Sequence, residues 1–125
     1  MNYLFKKYRK FTFKRDKFIS SIIDNEVKRT KEFGLNIDQE DVEYEKLIFI
    51  AVFEYIWDKI ENSGSDFSSL RLVASRTINE KLSHLSKKYF DMSVKENLDV
   101  KNMYNCHIDE CMSKLFLKIS NKLYD

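Results

Sequence analysis

Two histidines, two cysteines and a scatter of serines are the side chains whose types could do bond chemistry, and their spacing argues against it. His107 and Cys111 are four residues apart, which on a helix places two metal ligands on one face. Zinc takes three or four ligands. Cys106 points elsewhere, His84 would have to come from a second helix, and the usual paired-cysteine spacing is missing. The pair therefore reads as a core cysteine beside a boundary histidine, and no metal or cofactor is expected. Ser83 and His84 are adjacent, so on a helix they diverge by about 100° and cannot act as nucleophile and base. There is no Gly-x-Ser-x-Gly elbow, no glycine-rich phosphate loop and no His-Glu-x-x-His. The acidic run Glu40, Asp41, Glu43, Glu45 lacks the pattern of a calcium loop and reads as a solvated helix start. Catalysis is not expected.

Charge is the more informative chemistry. Residues 1–33 carry ten Lys/Arg against four Asp/Glu, residues 34–66 two against nine, residues 67–90 five against one, and residues 91–125 five against six. The whole chain comes to only +2, whereas nucleic-acid-binding domains are usually basic overall. Oppositely charged helices packing side by side explain the segregation more simply. Two charges sit on otherwise apolar faces, Glu26 and Arg71. Isolated buried charges are costly, so these two are expected to meet across the fold, or one of them to pair with an acidic stripe, unless each reaches water from a helix edge.

That stripe consists of Glu43, Glu54, Asp58 and Glu61, on the narrow polar side of residues 44–60, where twelve of seventeen positions are apolar or aromatic. At about 100° per residue, Phe49, Val52, Phe53, Ile56 and Ile60 share the opposite side. A helix apolar over most of its circumference is expected to be buried on most sides. Residues 44–60 are therefore read as a central helix with one acidic edge open to solvent or to a protein partner. A short buried strand over residues 47–53 is the competing reading, since β-branched and aromatic residues crowd it.

The second binding lead is the N-terminal stretch, where Lys6, Lys7, Arg9, Lys10, Lys14 and Arg15 interleave with Tyr8, Phe11 and Phe13. Cations among aromatics suit phosphates and bases. Leu4, Phe5, Tyr8 and Phe11 fit a helical face, whereas residues 10–14 alternate as a strand would. As a strand, with Lys10, Thr12 and Lys14 outward, this stretch loosely resembles the ribbon-helix-helix DNA-binding proteins over the first third of the chain. That resemblance implies a dimer with a paired ribbon in the major groove. The link after Gly34 is longer than that family's tight turn, and the helix that follows is acidic.

The elements that must hold these residues follow from a chain with no proline and two glycines, Gly34 and Gly64, a shortage that favours a few long helices. Residues 17–33 read as a helix stopped by Gly34, with Ile19, Ile22, Ile23, Val27, Thr30 and Phe33 on one face. Asn36 or Asp38 can cap the central helix. After the loop at residues 62–65, a third helix is expected to run to about Phe90, burying Phe67, Leu70, Ala74, Ile78, Leu82, Leu85 and Tyr89. Ser93-Val-Lys-Glu96 matches a capping box. It or Asp99 is expected to open a last helix to about Leu123, burying Val100, Tyr104, Ile108, Cys111, Met112, Leu115 and Ile119 and leaving Cys106, Leu117 and Tyr124 outside.

The reading is an all-α chain, one domain over residues 1–125. It is a compact bundle of about four main helices around the helix at 44–60, with residues 1–16 as a basic arm or first helix. The longest apolar run is seven residues, far short of the ~20 that span a bilayer. No signal peptide is evident, and Cys106 and Cys111 are too far apart along a helix (a rise of about 7.5 Å) to bridge. Cytosolic placement is expected. The expected function is that of a small non-catalytic regulator, inhibitor or adaptor acting on another protein, or a homodimer. Nucleic-acid binding through Lys6, Lys7, Arg9, Lys10, Lys14 and Arg15 is the alternative.

Overall fold

The computed structural model describes residues 2–98 and 102–124, with side chains placed for residues 15–98 and 102–122. It is all-helical, and the five helices are packed together: α1 (Asn2–Glu32), α2 (Gln39–Ser63), α3 (Phe67–Lys81), α4 (Ser83–Lys95) and α5 (Met103–Tyr124). Helix α1 packs against α2 and α5, α2 against α3, and α3 and α4 close on α5. Residues 47–53 lie inside α2, so the strand reading there fails. Residues 10–14 continue α1 without interruption. The basic stretch is helix and not ribbon, and the resemblance to ribbon-helix-helix proteins goes with it.

Two helix ends use one device. Helix α1 stops where Gly34 takes a positive φ of 110°. The Gly34 N–H then donates to the Lys31 carbonyl (3.0 Å), and the Leu35 N–H to that of Thr30 (3.1 Å). These are the paired bonds of a Schellman end, and Leu35 is buried beneath them. Helix α4 ends the same way, with Asn97 at φ 56°, Asn97 N–H to Val94 O (3.1 Å) and Leu98 N–H to Ser93 O (2.8 Å). The Ser93–Glu96 box is thus the end of one helix and not the start of the next. Ser93 is buried, and its hydroxyl donates back to the Tyr89 carbonyl at 2.8 Å. The last helix begins at Met103; Asp99 and Val100 lie outside the described residues.

The expected third helix is two helices. The break is Leu82, whose φ of −104° and ψ of 7° leave the helical range. Side chains take up carbonyls at the break. Ser83 Oγ donates to Glu80 O at 2.9 Å and Tyr44 Oη approaches Lys81 O at 3.4 Å, as side-chain intrusion at a kink requires. The apolar stripe survives, because Phe67, Leu70, Ala74, Ile78, Leu82, Leu85 and Tyr89 are all buried. On α5, Tyr104, Ile108, Cys111, Met112, Leu115 and Ile119 are likewise buried, and Cys106 and Leu117 are exposed.

Helix α2 buries Phe49, Val52, Phe53, Ile56 and Ile60, and its side chains reach the other four helices. Phe53 meets Phe18 edge-on (6.0 Å), and Tyr44 meets both Lys81 and the His84 ring (5.4 Å). Glu45 contacts His107 at 2.8 Å. Burial is nevertheless less complete than the composition of α2 suggests. Leu47 is 66% exposed and Tyr55 44%.

Candidate functional site

The open side of α2 forms a groove with α3. Tyr44 of α2 reaches Lys81, the last residue of α3, so the two helices run antiparallel. Ile48, Ala51 and Tyr55 line one wall, Val73 and Thr77 the other, with Lys81 at one end; the cavity measures about 370 Å³. Ala51, Tyr55 and Val73 are exposed residues, and Leu47 stands beside them. The lining is apolar apart from Thr77 and Lys81. It carries no constellation of acid, base and nucleophile, so what it can do is bury apolar surface of something else.

The titratable groups gather elsewhere, inside the core. Glu45 and His107 expose 0% of their side chains. Glu45 Oε2 accepts from the Tyr104 hydroxyl at 2.8 Å, and Oε1 lies 2.8 Å from His107 Nε2. On the other side of the ring, Nδ1 is 3.3 Å from Thr30 Oγ1. Thr30 has one hydroxyl hydrogen, committed to the Glu26 carbonyl at 2.7 Å. Its oxygen therefore faces Nδ1 as an acceptor, while Nε2 faces the Glu45 carboxylate. Burial, and then the charge of Glu45, drive the Tyr104 hydroxyl far above the usual tyrosine range. Burial, with Glu45 and Glu26 nearby, raises the Cys111 thiol well above its ordinary value. A cleft of about 200 Å³ between α1 and α5, lined by Arg29, Phe33, Met103, Cys106 and Glu110, lies over His107 without exposing its side chain.

A second network ties the start of α2 to α4. Tyr89 donates to Asp41 Oδ2 at 2.5 Å and accepts from the Asp38 N–H at 2.9 Å. Lys88 reaches Asp41 at 2.6 Å and Asp38 at 3.0 Å. Burial alone would raise the Asp41 carboxyl, but the bonds from Lys88 and Tyr89 outweigh it and hold it below the usual value. Tyr89 stacks on Tyr104 at 5.0 Å, so the two networks meet ring to ring.

Glu26 is buried, as its position on an apolar face demanded, but its partner is not Arg71. Lys114 of α5 bonds its carboxylate, with Arg29 at 3.9 Å. Arg71 lies at the surface with its guanidinium 5.9 Å from the Phe116 ring. The expected pair fails because Arg71, one position past Leu70, faces out while its stem covers apolar surface. In the acidic stripe, Glu54 is held by Arg15 at 2.5 Å, Glu43 by Gln39 (2.9 Å) and Lys46 (3.4 Å), and Asp58 accepts from the Asn62 amide at 2.5 Å. Glu61 is half-buried on the same side. Arg15 also pairs with Asp16. Lys6, Lys7, Arg9, Lys10 and Lys14 lie on α1, outside the residues whose side chains are described.

His107 is a core residue and not a boundary one, and both its ring nitrogens are engaged by protein atoms. Glu45, expected in a solvated helix start with Glu40, Asp41 and Glu43, is instead fully buried. Its signal was there: Glu45 precedes Phe49 by four residues and so belongs to the buried face of α2, as Glu26 belongs to that of α1.

Comparison of the chain with protein-family models, with curated proteins and with solved structures finds no match.

Proposed function

We propose that this chain is a small regulator, inhibitor or adaptor that works by contact with another protein and not by catalysis, and that the α2–α3 groove is the contact. On this reading residues 1–125 are one domain, a bundle organised around α2, acting in the cytosol. The observation that carries it is the groove itself, about 370 Å³ lined by Ile48, Ala51, Tyr55 and Val73. Apolar surface of this kind on a helix hairpin suits the addition of a further helix. The free thiols Cys106 and Cys111 support a reducing compartment. No described helix is long and apolar enough to cross a membrane.

Ala51 is exposed, so Ala51→Glu places a charge in the groove with little effect on folding. The test is affinity capture from cell extract on the wild-type chain and on the variant, followed by titration of the recovered protein in purified form. The expected outcome is one protein held by the wild type and released by Ala51→Glu, with the two chains melting alike. Retention of that protein by both forms would refute the groove. Salt-sensitive retention of duplex DNA, in place of a protein, would favour the basic helix instead.

A further inference from the structure

The occupant of the groove is the next question, and the inference here rests on the groove being a docking surface. We infer that it receives an amphipathic helix of a partner protein whose apolar stripe is flanked by lysine or arginine.

Shape gives the first half. The lining runs from Ile48 to Tyr55 along α2 and from Lys81 back to Val73 along α3. Seven residues of helix rise about 10 Å, or two turns. A helix laid between two antiparallel helices meets such a groove with anchors at i, i+3 or i+4, and i+7. The walls offer side chains rather than an unpaired strand edge, so an extended segment would leave its backbone groups without partners.

Charge gives the second half. At about 100° per residue, Asp58 lies on the solvent side of Ala51 on α2, with Glu54 and Glu61 beyond it; on α3, Glu80 lies beside Val73. Asp58, Glu61 and Glu80 enter no ion pair among the described residues. Glu54 keeps half its side chain exposed despite Arg15. The nearby cations are fewer: Arg76 on the outer side of α3, Lys81 at the groove's end, and Lys59, which sits 5.8 Å over the Tyr55 ring. Carboxylates thus follow the outer edge of α2 beside the apolar floor, while the charge in the lining itself is that of Lys81. A helix with basic flanks satisfies that edge, and one with acidic flanks is repelled.

The experiment uses two synthetic helical peptides with the same leucine stripe, one flanked by lysine and one by glutamate. Fluorescence anisotropy reads their affinity for the full chain, and amide shifts at Ala51, Val73 and Thr77 locate the site. The lysine peptide is expected to bind about tenfold more tightly, as two or three exposed pairs allow. Salt should narrow the gap, Asp58→Lys with Glu80→Lys should reverse it, and Ala51→Glu should abolish both complexes. Equal affinities that Ala51→Glu still abolishes would leave the groove standing and overturn the charge inference. Failure of both peptides to shift the groove amides would overturn the helical occupant, while capture on wild type and Ala51→Glu still judges the groove separately. A dimer in sedimentation velocity that Ala51→Glu dissolves would show the occupant to be a second copy and would also overturn the inference.

Discussion

Glu45 shows how one side chain can bind three helices into a single network. It accepts from Tyr104 and lies 2.8 Å from His107, both on α5, and His107 in turn reaches Thr30 on α1. Removing one partner of such a buried set leaves the others desolvated and unsatisfied. Glu45→Ala is therefore expected to cost about 3–5 kcal/mol, read as a fall in the urea midpoint with an unchanged slope; a cost below about 1 kcal/mol would mean the network is solvated. Asp41 gives a pH dependence. Its carboxyl is held below the usual value when folded, so the stability it contributes is complete above the unfolded value of ~4 and is lost as pH falls through the lower folded value. Asp41→Asn should be the less stable form near neutral pH, and urea titrations at successively lower pH should show the two forms converging. A constant gap would contradict the assignment.

At the scale of elements, apolar periodicity was legible and helix ends were not. The buried face of α5 is the one its spacing predicts, from Tyr104 to Ile119. The break at Leu82 was hidden because a single non-helical residue leaves the steps from Ile78 to Leu82 to Leu85 at helical spacing. Nothing in the residue types flags it, since neither glycine nor proline is present. Ser93-Val-Lys-Glu96 misled because a capping box reads the same wherever it occurs. What decides its role is Asn97-Leu98, which repeats Gly34-Leu35 at the end of α1. Asn97 holds φ 56°, a conformation that alanine adopts at a cost of about 1–2 kcal/mol and glycine adopts freely. Asn97→Ala should thus lower stability by about 1 kcal/mol and Asn97→Gly should not, as thermal melts would show. Equal effects would rule out the positive φ as the reason for asparagine there. The Glu26–Arg71 pairing failed for a related reason: helix periodicity says which face a residue is on, but not which helix comes to meet it. Lys114, from an element 88 positions away, could not be selected from the sequence.

For the whole molecule, the groove is a matter of how α3 lies on α2. Apolar residues cover most of the circumference of α2, which by itself predicts burial on most sides. In the fold, α3 leaves Ala51 and Tyr55 uncovered, and Leu47 beside them is open to solvent. The acidic edge that composition did reveal lies beside that groove and not in its lining, with Glu54 held by Arg15 of α1. Docking of a protein partner in the groove is open to site-specific photo-crosslinking. A benzophenone amino acid is placed either at Tyr55, in the groove, or at Leu117, an apolar residue 62% exposed on α5. An adduct with one protein is expected from position 55 and none from position 117. Adducts of equal yield from both positions, or from position 117 alone, would rule out docking in the groove.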